Sequence, residues 1–264
     1  MHPIRPTLAL MGLLCTAAGA AAPAPACRTV SPPYTVALVE LYTSQGCSSC
    51  PPADRWLSQL NGASPLRAIP LALHVGYWDY IGWKDPFARP EFNERQRWLA
   101  GHNGGSVYTP EVFVGAAETD WRRPEGFAAA QAAVNRRPAQ ASIELQAHWL
   151  DAAAASGGAQ RLAVQVRWSA DSSARDPQLL LAVKRGGFVT EVQAGENRGE
   201  RLRNDHVVRA WAGPYRPAGQ PLAAELSVPA APGDATLVAI AQDASTGALL
   251  QAVPLDLAAC AAPQ

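Results

Sequence analysis

Two cysteines separated by two residues, Cys47 and Cys50, are the side chains of this chain best suited to do chemistry. Pro51-Pro52 follows them, then Ala53, Trp56, Leu57 and Leu60 at helical spacing. That pattern predicts a helix starting just after the pair and ending near Asn61-Gly62. A sulfur at a helix N-terminus meets unpaired backbone N–H groups and the positive end of the helix dipole, and both favour a thiolate. Such placement draws a thiol pKa from about 8.5 to between roughly 3.5 and 7.5. Thiol–disulfide exchange needs this thiolate and a second thiol that resolves the mixed disulfide. Cys47 precedes the helix and is expected to be the more exposed, which makes it the nucleophile and Cys50 the resolving thiol. Two other chemistries use the same atoms. The pair is alternatively an inert structural disulfide in a non-enzymatic binding module, or, with His74, a soft Cu(I) site. Zinc would need four ligands, and there is no second Cys-x-x-Cys.

The elements around the pair come from hydrophobic patterning. Tyr34 to Tyr42 is β-rich and apolar on both faces, as in a buried strand. Glu40 is the acid within it, and a buried carboxylate there is a candidate proton shuttle for the cysteines. Ile69 to Val75 reads as a second buried strand, and the loop beyond it carries Tyr77, Trp78, Tyr80 and Trp83. That loop is either a recognition surface beside the cysteines, with Tyr77 and Trp78 as substrate-binding candidates, or a packed lid. Helices are expected from Pro90 to Ala100 and from Pro124 to Asn135, with a strand at Glu111 to Val114 between them. Arg95, Arg97, Arg122 and Arg123 read as solvated faces. Beyond Gln140 the pattern becomes short alternating strands separated by turn clusters, among them Asn197-Arg198-Gly199.

Composition bounds the setting. The 264 residues are 48% hydrophobic and 17% charged, with 22 basic side chains balancing 22 acidic ones. No net field recruits nucleic acid, and none is expected as a partner. Residues 1–26 read as a signal peptide, with a short positive start, an apolar run from Leu8 to Ala18 and a small-residue stretch. The mature chain has no membrane-spanning run and is expected in the periplasm or secreted. Removing Cys15 with that segment leaves four cysteines. An even count in an exported chain suggests pairing, and chain ends commonly lie close, so Cys27 and Cys260 are expected to form a structural disulfide.

The strings Glu40 to Asp54, His74 to Pro86, and Val107-Tyr108-Thr109-Pro110 together resemble a bacterial family of secreted thioredoxin-like proteins, named only as a domain of unknown function. The resemblance implies that Pro110 faces the cysteine pair, commonly through a cis bond, and that Tyr108, Thr109 and Pro110 bind an extended substrate. It also implies a buried acid near the pair, with Glu40 one residue off the comparable strand position. Gly46 stands where thioredoxins usually have Trp. The expected fold class is therefore an α/β thioredoxin-like domain, residues 27–138, followed by an all-β sandwich-like domain, residues 139–264. The leading function is thiol–disulfide exchange without a cofactor. Its partners are protein thiols or disulfides, with a membrane redox partner as a candidate.

Overall fold

The computed structural model describes residues 27–60, 68–151, 158–229, 235–258 and 260. The expected signal peptide, residues 1–26, lies outside them. The described residues begin with strand β1 (Cys27–Val30) and the fully buried β2 (Ala37–Thr43), which leads through Cys47 and Cys50 into helix α1 (Pro51–Gln59). Then come β3 (Ala68–His74), α2 (Pro90–Asn103), β4 (Glu111–Val114), β5 (Ala117–Glu118) and α3 (Pro124–Asn135). Helices α1, α2 and α3 each have proline in their first turn, where a missing N–H costs no intrahelical bond. The rest is strand: β6 (Ala141–Trp149), β7 (Ala159–Ala170), β8 (Pro177–Arg185), β9 (Phe188–Glu191), β10 (Arg201–Asn204), β11 (Val207–Tyr215), β12 (Leu222–Pro229), β13 (Ala235–Asp243) and β14 (Leu249–Asp256).

Their pairing corrects the expected fold class. The chain is mainly β, and it does not form an α/β thioredoxin-like domain followed by a separate sandwich. One eight-stranded sheet runs β14-β13-β8-β11-β3-β2-β4-β5, through strands from both parts of the sequence. The junction is between β3 and β11, which run parallel with Val207 beside Ala72, and Ala72 N donates to His206 O at 2.9 Å. The physical reason lies in β3. All seven of its residues are buried, so both of its edges need backbone partners, and β2 satisfies only one.

A second sheet, β1-β6-β7-β12, faces part of the first, and β9 and β10 form a hairpin of their own. Period-two alternation divides the middle of the large sheet between two cores. Leu180 and Ala182 of β8 join the core built by β2, β3, β4 and the helices, while Leu179, Leu181 and Val183 join the core beneath the four-stranded sheet. The two chain ends meet as expected: Cys27 and Cys260 form a disulfide with Cα atoms 5.2 Å apart. Among the described residues no helix is long and apolar enough to cross a membrane.

Candidate functional site

Cys47 and Cys50 are joined by a disulfide at the start of α1. Cys47 N donates to Ser44 O at 3.1 Å, and Cys50 N to Cys47 O at 3.2 Å, so the turn is closed by its own backbone. Cys50 occupies the N-cap position with φ −79° and ψ −37°, inside the α region despite the proline that follows it. Across from this turn the Thr109-Pro110 bond is cis, and Ser49 Oγ donates to Thr109 O at 3.4 Å. Trp78 Nε1 donates to Thr109 Oγ1 at 2.7 Å, and Gln96 Nε2 to Tyr108 O at 2.7 Å. Tyr77 OH donates to Gln96 Oε1 at 3.2 Å. Trp78 directly, and Tyr77 through Gln96, thus hold the 108–110 turn, and Ser49 links that turn to the cysteine loop. Gly46 belongs to the same arrangement, because a Cβ there would lie 3.2 Å from Trp78 Cβ.

Three expectations need correction. Cys47 is not the exposed partner: both cysteines are fully buried, whereas Ser48 and Ser49 between them are exposed. The cover comes from the turn between β9 and β10. Asn197 Nδ2 donates to Gln45 O and to Cys47 O, both at 2.9 Å, and Glu196 Oε2 accepts from Ser48 N at 2.9 Å. Gly195, at φ +75°, lets this turn press against Ile81 and Trp83, which a Cβ would meet at 3.3 Å. Gln45 ties the base of the hairpin, its Nε2 donating to Thr190 Oγ1 at 3.0 Å and to Asn204 Oδ1 at 2.8 Å.

Glu40, the expected proton shuttle, is held in a buried two-pronged ion pair. Arg95 Nε lies 2.6 Å from Glu40 Oε1 and Arg95 Nη2 lies 3.1 Å from Oε2. This also corrects Arg95, which is a buried cation and not part of a solvated face. His74, the third ligand of the alternative Cu(I) reading, is engaged by Asp85, Nδ1 to Oδ2 at 2.7 Å with both side chains buried. Among the described residues no group of three metal-ligating side chains forms.

Asp54 is the ionisable group that the sequence reading missed. It lies four residues after Cys50, which places the two side chains on one helix face a turn apart. Its N donates to Cys50 O at 3.1 Å, and its carboxylate accepts from Thr43 Oγ1 at 3.2 Å. Burial raises its pKa from 3.8 to about 6, against the lowering effects of His74 and the Thr43 hydrogen bond. For His74, the Asp85 carboxylate and then Asp54 outweigh burial, and its pKa is raised. Glu111, next to Pro110, is likewise buried, and desolvation lifts its pKa to about 7.

The raised pKa of Asp54 fixes an expected result. Between about pH 4 and pH 6 the unfolded chain releases this proton and the folded protein keeps it, so stability falls as pH rises. The whole loss is about 3 kcal/mol, since each tenfold difference in proton affinity between the two states is worth about 1.4 kcal/mol. Asp54→Asn is expected to match the wild type at about pH 4 and to exceed it by about 2–3 kcal/mol at about pH 7, because the amide oxygen keeps the Thr43 bond without a charge. Urea unfolding at the two pH values checks it, and equal stability at neutral pH would refute the buried-acid assignment.

Fold and site together define a mainly β protein with a Cys-x-x-Cys disulfide at a helix N-terminus, covered by a turn from a distant hairpin. The chain belongs to the family described as "Protein of unknown function (DUF1223)", whose model matches residues 38–242. No curated protein matches it. Two solved structures are similar in fold. Protein AGR_C_4864 from Agrobacterium tumefaciens is 22% identical, with a TM-score of 0.57, 84% of this chain covered and 94% of that one. HBP35 of Porphyromonas gingivalis is 12% identical, with a TM-score of 0.60, 88% of this chain covered and 78% of that one. At these identities the likeness is one of architecture.

Proposed function

We propose that this protein is a thiol–disulfide oxidoreductase acting on protein disulfides through Cys47 and Cys50 in an oxidising compartment outside the cytoplasm. The observation that supports it is the position of the disulfide, at the N-terminus of α1 and opposite the Thr109-Pro110 turn. A disulfide placed there is one whose reduced form is favoured by the helix end, unlike a bond buried mid-strand. The second disulfide, Cys27–Cys260, supports the compartment. The local constellation is the reason to keep the thioredoxin-like superfamily as a functional comparison, although the sheet is built differently.

In the reducing direction the Cys47 thiolate attacks one sulfur of a substrate disulfide, a new S–S bond forms, and the other substrate sulfur leaves as a thiolate that takes up a proton. Cys50 then attacks Cys47 Sγ, closing the Cys47–Cys50 bond and releasing the second substrate thiol. Two protein thiols are oxidised and one substrate disulfide is reduced. The Cys50 proton must go to a nearby base, and Asp54, one turn along the same helix face with a pKa of about 6, is placed to take it. Exposed Tyr108, next to Thr109, whose carbonyl Ser49 Oγ reaches, offers an extended substrate apolar contact beside the exposed Ser48 and Ser49.

The burial of both cysteines favours a second reading, in which the bond is a structural staple and the aromatic surface is a binding site. One experiment separates the two. Under the first reading, the folded wild type reduces insulin disulfides with dithiothreitol as electron donor, and Cys47→Ser loses at least about a hundredfold of that rate. Equal rates for the two proteins, or a bond that dithiothreitol leaves intact in the folded state, establish the staple.

A further inference from the structure

The turn that covers the disulfide carries one charged group in direct contact with the cysteine loop. We propose that Glu196 tunes the pair, occupying the Ser48 N–H so that Cys47 is held as a thiol and the couple is moved toward the reducing side. This rests on the exchange reading and adds the residue that sets its poise.

Ser48 lies between the two cysteines, two residues ahead of the N-cap Cys50, and its N–H is a donor next to Cys47 at the positive end of α1. Here that donor is spent on a carboxylate, Ser48 N to Glu196 Oε2 at 2.9 Å. The carboxylate sets a negative charge beside the place where the Cys47 thiolate would form. Hydrogen bonds to the side chain and backbone of Ser48 hold the Glu196 carboxyl below the ordinary glutamate range, so it is ionised wherever a thiol titrates.

The carboxylate is exposed, but its position is fixed by neighbours that are not. Asn197, the next residue, is buried and bonds to the carbonyls of Gln45 and Cys47. The turn itself is closed by Gly199 N to Val192 O at 2.8 Å and Val192 N to Glu200 O at 2.9 Å. A less stable thiolate makes the reduced pair less stable, so the disulfide is harder to reduce and the dithiol is the better electron donor to a protein disulfide. The other ionisable groups near the pair are Asp54 on α1 and the His74–Asp85 pair. They are identical in the variants below and cancel from the comparison.

The test uses the full-length protein in wild-type form and as Glu196→Gln and Glu200→Gln, the last a control that removes a charge from the same turn without touching Ser48. Two quantities are read: the ultraviolet absorbance of the Cys47 thiolate against pH in the reduced protein, and the fraction reduced in glutathione buffers. Glu196→Gln is expected to lower the Cys47 pKa and to shift the glutathione equilibrium on the order of threefold toward the dithiol, the size of a charge effect at an exposed helix end. Glu200→Gln is expected to match the wild type. If Glu196→Gln also matches the wild type, or if Glu200→Gln shifts as far, the tuning role is overturned while the exchange reading stands. If no glutathione buffer reduces the wild-type bond in the folded state, both fall together.

Discussion

Arg95→Met is expected to destabilise the protein by about 3–5 kcal/mol, the cost of leaving a buried partner uncompensated. Arg95 carries the only cation bonded to Glu40 among the described residues. Both side chains are buried, 8% and 2% exposed. The guanidinium also donates to Gln242 Oε1 at 3.0 Å, so one side chain on α2 ties β2 to β13. Methionine fills much of the same volume and leaves the carboxylate with Tyr42 OH, 3.4 Å away, as its remaining hydrogen-bond donor. The double variant Glu40→Met with Arg95→Met is expected to recover most of the loss, since replacing both ions by apolar groups removes the desolvation cost together with the attraction. Urea unfolding of the three proteins measures it. A single variant within about 1 kcal/mol of wild type would show that the pair contributes nothing to the fold.

Opening the Cys27–Cys260 bond should have an effect of similar size by another route. The bond separates residues 233 positions apart, so it restricts almost the whole unfolded chain. In the chain-entropy account a loop of that length contributes about 5 kcal/mol, comparable to the entire stability of many domains. Cys27→Ser with Cys260→Ser is expected to lower the unfolding free energy by up to that amount while leaving β1 paired to β6. The Cys47–Cys50 bond spans three positions and constrains the unfolded chain far less. Mild reductant that opens both bonds should therefore destabilise the wild type about as much as the double-serine change does. A double-serine variant as stable as wild type would mean that the folded protein holds its ends together without the bond.

Features governed by neighbours in sequence were legible before the structure. The helix after Cys50 follows from the spacing of Ala53, Leu57 and Leu60, and the strands of the later half follow from alternation such as Leu162 to Trp168. What escaped was the identity of distant partners. Glu40 reads as a buried acid from its apolar strand, yet the cation that claims it lies 55 residues away and looks like one of several surface arginines. β3 reads as a buried strand, but nothing local says that β11 completes its edge, and the expected fold class failed on that pairing. Glu196 and Asn197 reach the cysteine loop across 148 to 152 positions, from a stretch that reads only as a turn. Asp54 was the exception. Its distance of four from Cys50 was visible in the sequence, and the helical spacing that placed Leu57 also places it on the sulfur's side.

The sharing of β8, with Leu180 serving one core and Leu181 the other, has a consequence in time as well as in space. Synthesis runs from the N-terminal end, so Cys47 leaves the ribosome 150 residues before Asn197 does. Until β11 is made, β3 has an open edge, and until the turn between β9 and β10 is made, Cys47 lacks the contacts of Glu196 and Asn197. The cysteine pair of an incomplete chain therefore stands without that part of its cover.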